Sequence, residues 1–135
     1  METPPSLTVT RVSCKPVPGA VQHPGDAVRW TASWLLLNSG TSPLDLEAAW
    51  IPHGKFRGEG RLPLSGQITS GAAHELEFAV TADESPGTIV ENAFLILRVR
   101  IQDAAWRVFI RMRIEFDASA VPVPVVETIT TQSLE

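Results

Sequence analysis

The sequence predicts an all-β fold, an antiparallel sandwich of about seven strands. Three observations carry this expectation. Apolar and polar residues alternate with period two in several segments, and no segment shows the 3.6-residue period of an amphipathic helix. Turn-forming residues, among them nine glycines and eleven prolines, separate those segments. Neither face of the strand pattern is apolar throughout, which argues against a parallel sheet covered by helices.

The elements follow in order. Leu7-Thr8-Val9-Thr10-Arg11-Val12 alternates, and Lys15-Pro16-Val17-Pro18-Gly19 ends it. His23-Pro24-Gly25-Asp26 has Pro and Gly where a tight turn favours them. The next strand places Val28, Trp30, Ala32, Trp34 and Leu36 on one face, and two tryptophans there demand a buried environment. Its other face carries Arg29, Thr31, Ser33, Leu35 and Leu37; the two leucines are expected either under the 55–66 loop or in a small apolar patch. Asn38-Ser39-Gly40-Thr41-Ser42-Pro43 closes the strand. Leu44, Leu46, Ala48 and Trp50 then alternate with Asp45, Glu47 and Ala49, which puts Trp50 on the core face. Lys55 to Gly66 reads as a long loop holding a short edge strand. His74, Leu76, Phe78 and Val80 alternate with Glu75, Glu77 and Ala79, and Ser85-Pro86-Gly87 breaks the chain.

The last two strands form a hairpin. Ala93, Leu95, Leu97, Val99 and Ile101 share one face of the first; Trp106, Val108, Ile110, Met112, Ile114 and Phe116 share one face of the second. A four-residue loop, Gln102-Asp103-Ala104-Ala105, pairs Ile101 with Trp106, Val99 with Val108, Leu97 with Ile110 and Leu95 with Met112. A one-residue slip would set core residues against outward ones, so this register is expected to be strongly specified. Residues 1–6 are read as an N-terminal extension, 7–117 as the sandwich and 118–135 as an extended tail. The tail's Val-Pro repeats suit a linker, or a docking strand or tether.

Composition narrows the function classes. A chain of 135 residues fits one domain, and a chain of this size buries about two thirds of its unfolded surface on folding. One cysteine, Cys14, excludes an internal disulfide and a cysteine metal cluster, and it is expected as a small core or edge residue. No apolar run is long enough for a membrane helix, so no membrane insertion is expected. The start Met1-Glu2-Thr3-Pro4-Pro5 lacks the pattern of a signal peptide. With Met1 as the native start, a cytoplasmic location is expected. The two-cysteine core and tyrosine corner of antibody-type domains are absent, since the chain has one Cys and no Tyr.

A resemblance emerges from the turns. Pro24-Gly25-Asp26-Ala27-Val28 and Leu37-Asn38-Ser39-Gly40-Thr41-Ser42-Pro43 resemble the turns that open and close the second strand of bacterial immunoglobulin-like domains of the CARDB and fibronectin type III kind. Ile68-Thr69-Ser70-Gly71 followed by Glu75-Leu76-Glu77-Phe78 is similar to their fifth strand, and Ser85-Pro86-Gly87-Thr88 to the turn after it. The resemblance covers roughly residues 7 to 117 and departs at the long Arg-rich hairpin. It implies an immunoglobulin-like sandwich and a non-catalytic adhesion, spacer or interaction role, with no catalytic residue to carry over.

The residues and their spacing point to a non-enzyme. Nucleophile-elbow, phosphate-loop and dinucleotide-binding patterns are absent. His23, His53 and His74 lie in different elements with no metal-ligand spacing. Nothing forces Asp45, Glu47, Asp83 and Glu84 to converge on calcium. No cofactor, metal or small-molecule substrate is expected, and a hydrolase or metal-dependent enzyme ranks last among the functions considered.

One surface stands out. The hairpin register assumed above places Arg100 opposite Arg107, Arg98 opposite Phe109, Ile96 opposite Arg111 and Phe94 opposite Arg113, all on the outer face. Two readings are open. In the first, this is a solvated face whose arginines are neutralised by Asp45, Glu47 and Glu115. In the second, it binds an acidic or amphipathic protein partner or a second copy, since interleaved Arg and aromatics are typical of interface cores. Nucleic acid is disfavoured by the net charge of −4 and the pI of about 5.3. The expected function is a protein-interaction module using Phe94, Ile96, Arg98, Arg100, Arg107, Phe109, Arg111 and Arg113. The alternative is a spacer or self-assembly domain of a larger chain.

Overall fold

A computed structural model describes residues 3–17 and 28–134. The expected turn at His23 to Asp26 lies outside the described residues. Ten strands are present among those described: β1 (Leu7–Pro16), β2 (Arg29–Asn38), β3 (Leu44–Trp50), β4 (Pro52–His53), β5 (Phe56–Gly58), β6 (Leu62–Ile68), β7 (Ala73–Thr81), β8 (Ile89–Ile101), β9 (Ala104–Phe116) and β10 (Pro122–Ser133). They form two five-stranded sheets, ordered β1-β2-β7-β5-β4 and β10-β9-β8-β3-β6, with every pair antiparallel. The fold is all-β, with ten strands where about seven were expected.

The alternation read from the sequence forms the core. Trp30, Ala32, Trp34 and Leu36 of β2 are buried together with Leu76, Phe78 and Val80 of β7. Leu95, Leu97 and Val99 of β8 and Trp106 to Phe116 at alternate positions of β9 complete one continuous apolar cluster fed by both sheets. Burial of a full-sized apolar side chain contributes about 1.5–3 kcal/mol, so this shared cluster is what holds the sheets together. Trp30 also donates its indole N–H to the carbonyl of Ala82 at 2.8 Å.

The extra strands come from two places. The 55–66 stretch holds β5 and most of β6, which lie in different sheets, and Phe56 within it is fully buried. It crosses from one sheet to the other instead of running as a surface loop. Gly58 makes this possible: a Cβ there would come within 2.3 Å of the Phe78 ring. This stretch joins β7 at Val80 and Thr81, whereas Leu35 and Leu37 face Glu75 and Ala73 at its opposite end. The two leucines are half-buried there. The second source is the 118–135 segment, which contributes β10 as a full edge strand on β9.

Two details of pairing depart from expectation. The hairpin closes through two residues, Gln102 and Asp103, with Gln102 at φ 54. Ile101 therefore meets Ala104, Val99 meets Trp106, Leu97 meets Val108 and Leu95 meets Ile110. The true register differs from the expected one by two residues. A two-residue shift preserves which face each side chain occupies, so alternation alone cannot detect it. Second, Glu47 is an extra residue on β3 between Leu46, paired with Val99, and Ala48, paired with Arg98. This bulge reverses the alternation beyond it. Ala49 and Ile51 point inward, while Trp50 sits outward beside Ile96 instead of in the core.

Candidate functional site

The candidate site is the outer face of the β10-β9-β8-β3-β6 sheet. The register sets out its rows. Ala48, Arg98, Arg107 and Gln132 are successive neighbours across β3, β8, β9 and β10. The next row is Trp50, Ile96, Phe109 and Thr130, and beyond it stand Phe94, Arg111 and Thr128. An apolar row thus crosses three strands, with arginines on both sides. Phe94 and Phe109 meet edge to face, ring centroids 6.3 Å apart at 89°.

All eight expected residues lie on this face at intermediate burial. Their cross-strand neighbours differ from those expected, because of the two-residue shift. Arg98 stands opposite Arg107, Ile96 opposite Phe109, Phe94 opposite Arg111 and Arg100 opposite Ala105. Arg113 faces Val125 of β10.

Most of these arginines are neutralised within the chain. Glu47, projected by its bulge, bridges two of them: Arg98 Nε at 3.2 Å and Arg100 Nε at 3.4 Å. Arg100 also donates to the carbonyl of Asp103 at 3.3 Å. Glu127 of β10 bridges Arg113 Nη1 at 3.3 Å and Arg111 Nε at 3.7 Å, and Glu115 lies 3.5 Å from Arg113. Asp45, expected to neutralise an arginine, instead accepts a hydrogen bond from Gln67 at 3.1 Å. Such half-exposed pairs contribute about 0–1 kcal/mol each. They fix side-chain positions and cancel charge more than they stabilise the fold.

Arg107 is the exception. Among the described residues it makes no ion pair, and its Nε, like that of Arg111, is buried without a hydrogen-bond partner. Its guanidinium lies 5.6 Å from the Trp50 ring centroid, and Arg61 approaches the same ring at 4.8 Å. Arg61 also has no carboxylate partner among the described residues. Beside Trp50 a hollow of about 190 Å³ is lined by Trp50, Ile51, Pro52, Arg57, Gly58 and Gly60.

Trp50, Arg61 and Glu127 were not expected on this surface, nor was Arg57, which lies on β5 of the other sheet and borders the face at the hollow. Trp50 was hidden by the bulge, and Arg57 and Arg61 by their place in an irregular stretch. Glu127 was hidden because the tail carried no sign of its sheet. The remaining candidates are dispersed. His53 Nδ1 accepts from the Lys55 amide at 3.0 Å, and His74 stands opposite Leu36 on β2. Glu84 lies 3.9 Å from Lys55 Nζ, while His23 is outside the described residues. Cys14 packs against the core from β1, and burial pushes its thiol up to about 12. Among the described residues, no three His, Cys, Asp or Glu side chains are placed to hold a metal ion together. Among the described residues no helix is long and apolar enough to cross a membrane.

In comparisons with known proteins, no family model matches the chain and no curated protein matches it significantly.

Proposed function

We propose that this chain is an immunoglobulin-like β-sandwich acting as a non-catalytic protein-interaction module through the outer face of β3, β8 and β9. The strand orders support the immunoglobulin-like part. β1, β2 and β7 are neighbours in one sheet, and β9, β8 and β3 in the other, the arrangement of the A-B-E and G-F-C strands of that fold. The turn resemblance to bacterial domains of the CARDB and fibronectin type III kind points the same way.

The observation that carries the functional reading is the row Trp50, Ile96 and Phe109, half-buried and flanked by arginines. Aromatic and Arg side chains dominate the energetics of protein interfaces, aromatics because they bury much area with few rotors and arginine because it makes charge-assisted hydrogen bonds. The Glu47 and Glu127 bridges hold the surrounding arginines in place ahead of binding, which lowers the entropy lost on association. Phe94→Thr with Phe109→Thr removes two ring faces while keeping strand propensity. We expect cooperative unfolding to persist and capture of a partner from the source organism to be lost. Unchanged capture by a folded double variant would refute the reading.

A second reading, self-assembly or a spacer role in a larger chain, is favoured by one observation. β10 ends its sheet with no strand paired to its outer side among the described residues, although β1 packs beside it, and Thr128, Thr130, Thr131 and Gln132 are exposed. Concentration-dependent sedimentation abolished by Thr130→Pro would favour this reading over the first.

A further inference from the structure

We propose that Arg57, Arg61 and Arg107 around Trp50 form a receptor for carboxylates on an acidic, apolar-containing segment of a protein partner. The inference rests on the interaction-face reading above and names the chemistry of the partner. The arginines on this face and at its border divide into two sets. Arg98, Arg100, Arg111 and Arg113 each have a glutamate of the same chain within 4 Å. Arg57, Arg61 and Arg107 have none among the described residues. Glu59, the carboxylate nearest to Arg57 and Arg61 in sequence, is held by Arg29.

Two of these guanidinium groups lie over one indole, and the third stands at the hollow beside it. Arg61 lies 4.8 Å and Arg107 5.6 Å from its centroid, and Arg57 lines the hollow at its side. Stacking on an aromatic ring leaves the guanidinium N–H edges directed away from it, and those edges match a carboxylate in bidentate fashion. Arg107 has no carboxylate partner among the described residues, and its Nε, like that of Arg111, is buried without a hydrogen-bond partner there. The hollow of about 190 Å³ has room for a side chain, not for a large cofactor. Gly60 lines its wall, and with no atom within 4 Å of where a Cβ would stand it leaves the approach open.

The same geometry argues for an apolar component. Trp50 leads into Ile96 and Phe109 across adjacent strands, about 4.8 Å apart in the ladder direction. A segment whose acidic residues dock at Arg57 and Arg61 therefore continues over apolar side chains toward β9. Nucleic acid fits less well. A phosphate chain needs a continuous basic track, whereas glutamates neutralise the arginines beyond this cluster and the whole chain carries −4.

The test uses the full chain and a fluorescein-labelled peptide in which Glu alternates with Leu. Its twin carries Gln for every Glu, and labelled oligouridine is the third probe. Fluorescence anisotropy is expected to show saturable binding of the Glu peptide that weakens with added salt. No comparable binding of the Gln peptide or oligouridine is expected. Arg57→Gln with Arg61→Gln and Arg107→Gln is expected to weaken the Glu peptide at least about tenfold, since each loses charge-assisted hydrogen bonds. Should the triple variant unfold, Arg61→Gln alone, in an exposed position, is expected to weaken it about threefold. Peptide binding should also change the emission of Trp50, a change absent from Trp50→Phe.

Failure of the wild type to bind the Glu peptide overturns the inference, as does equal binding by the folded arginine variant or preference for oligouridine. Partner capture that survives the arginine variant but is lost with Phe94→Thr and Phe109→Thr overturns this inference and spares the interaction-face reading. Capture that survives both overturns the two together.

Discussion

Asn38 shows how one side chain can decide the course of the chain. It is the one fully buried polar side chain among the described residues. Its Nδ2 donates to the carbonyls of Ile68 at 2.8 Å and Ser42 at 2.9 Å, and its Oδ1 accepts from the Gly40 amide at 3.0 Å. These bonds tie the end of β2 to the turn before β3 and to the end of β6, so one amide connects both sheets. Asn38→Ala orphans two carbonyl acceptors at about 1–3 kcal/mol each, for an expected loss of roughly 2–6 kcal/mol in urea unfolding. Asn38→Asp is expected to cost more at neutral pH, because it turns an acceptor toward carbonyls that need a donor. Equal stability of Asn38→Asp and wild type would remove this account. The sequence marks Asn38-Ser39-Gly40 as a turn. That its amide reaches Ile68, thirty positions away, is a fact of three dimensions.

At the scale of elements, β10 does more than its sequence announces. Pro122, Pro124 and Val126 face the core side of the sheet opposite Phe116, Ile114 and Met112, and Glu127 serves two arginines of β9. The segment seals one edge of β9 and completes the charge balance of the candidate site. Removing residues 121–135 is expected to destabilise the fold by several kcal/mol and to promote aggregation through the exposed β9 edge. Glu127→Gln keeps the strand and is expected to cost no more than about 1 kcal/mol per pair, less at high salt. Thermal unfolding with light scattering separates the two. A truncated chain as stable and monodisperse as wild type would show that β10 is dispensable.

At the scale of the whole molecule, pH acts through Cys14. Its thiol ordinarily titrates near 9, and burial against the core pushes it up to about 12. Between those values the unfolded chain has released this proton while the folded chain still holds it. The unfolded state then binds fewer protons, so stability falls as pH rises. The contribution of Cys14 is expected to be constant below about pH 9 and to decline from there toward about pH 12. Cys14→Ala should flatten that alkaline decline, measured as the difference between the unfolding free energies of the two proteins across pH. Parallel curves would refute it. The same burial predicts that the native thiol reacts far more slowly with a disulfide reagent than the unfolded one.

Alternation along the chain determined the all-β class, the inner faces of β2, β7, β8 and β9, and the gathering of five arginines on one outer face. These are statements of parity between near neighbours, and a strand's period of two expresses them locally. Tertiary structure alone decided the hairpin register, the outward turn of Trp50, the sheet that receives β10, and the arginines left without carboxylates. A two-residue slip leaves parity untouched, a single bulge at Glu47 reverses it, and ion pairs such as Arg113–Glu127 join strands whose pairing no local pattern encodes. The arginine-bearing face was therefore legible from the sequence, while its unneutralised centre at Trp50 became visible only when the strands were placed side by side.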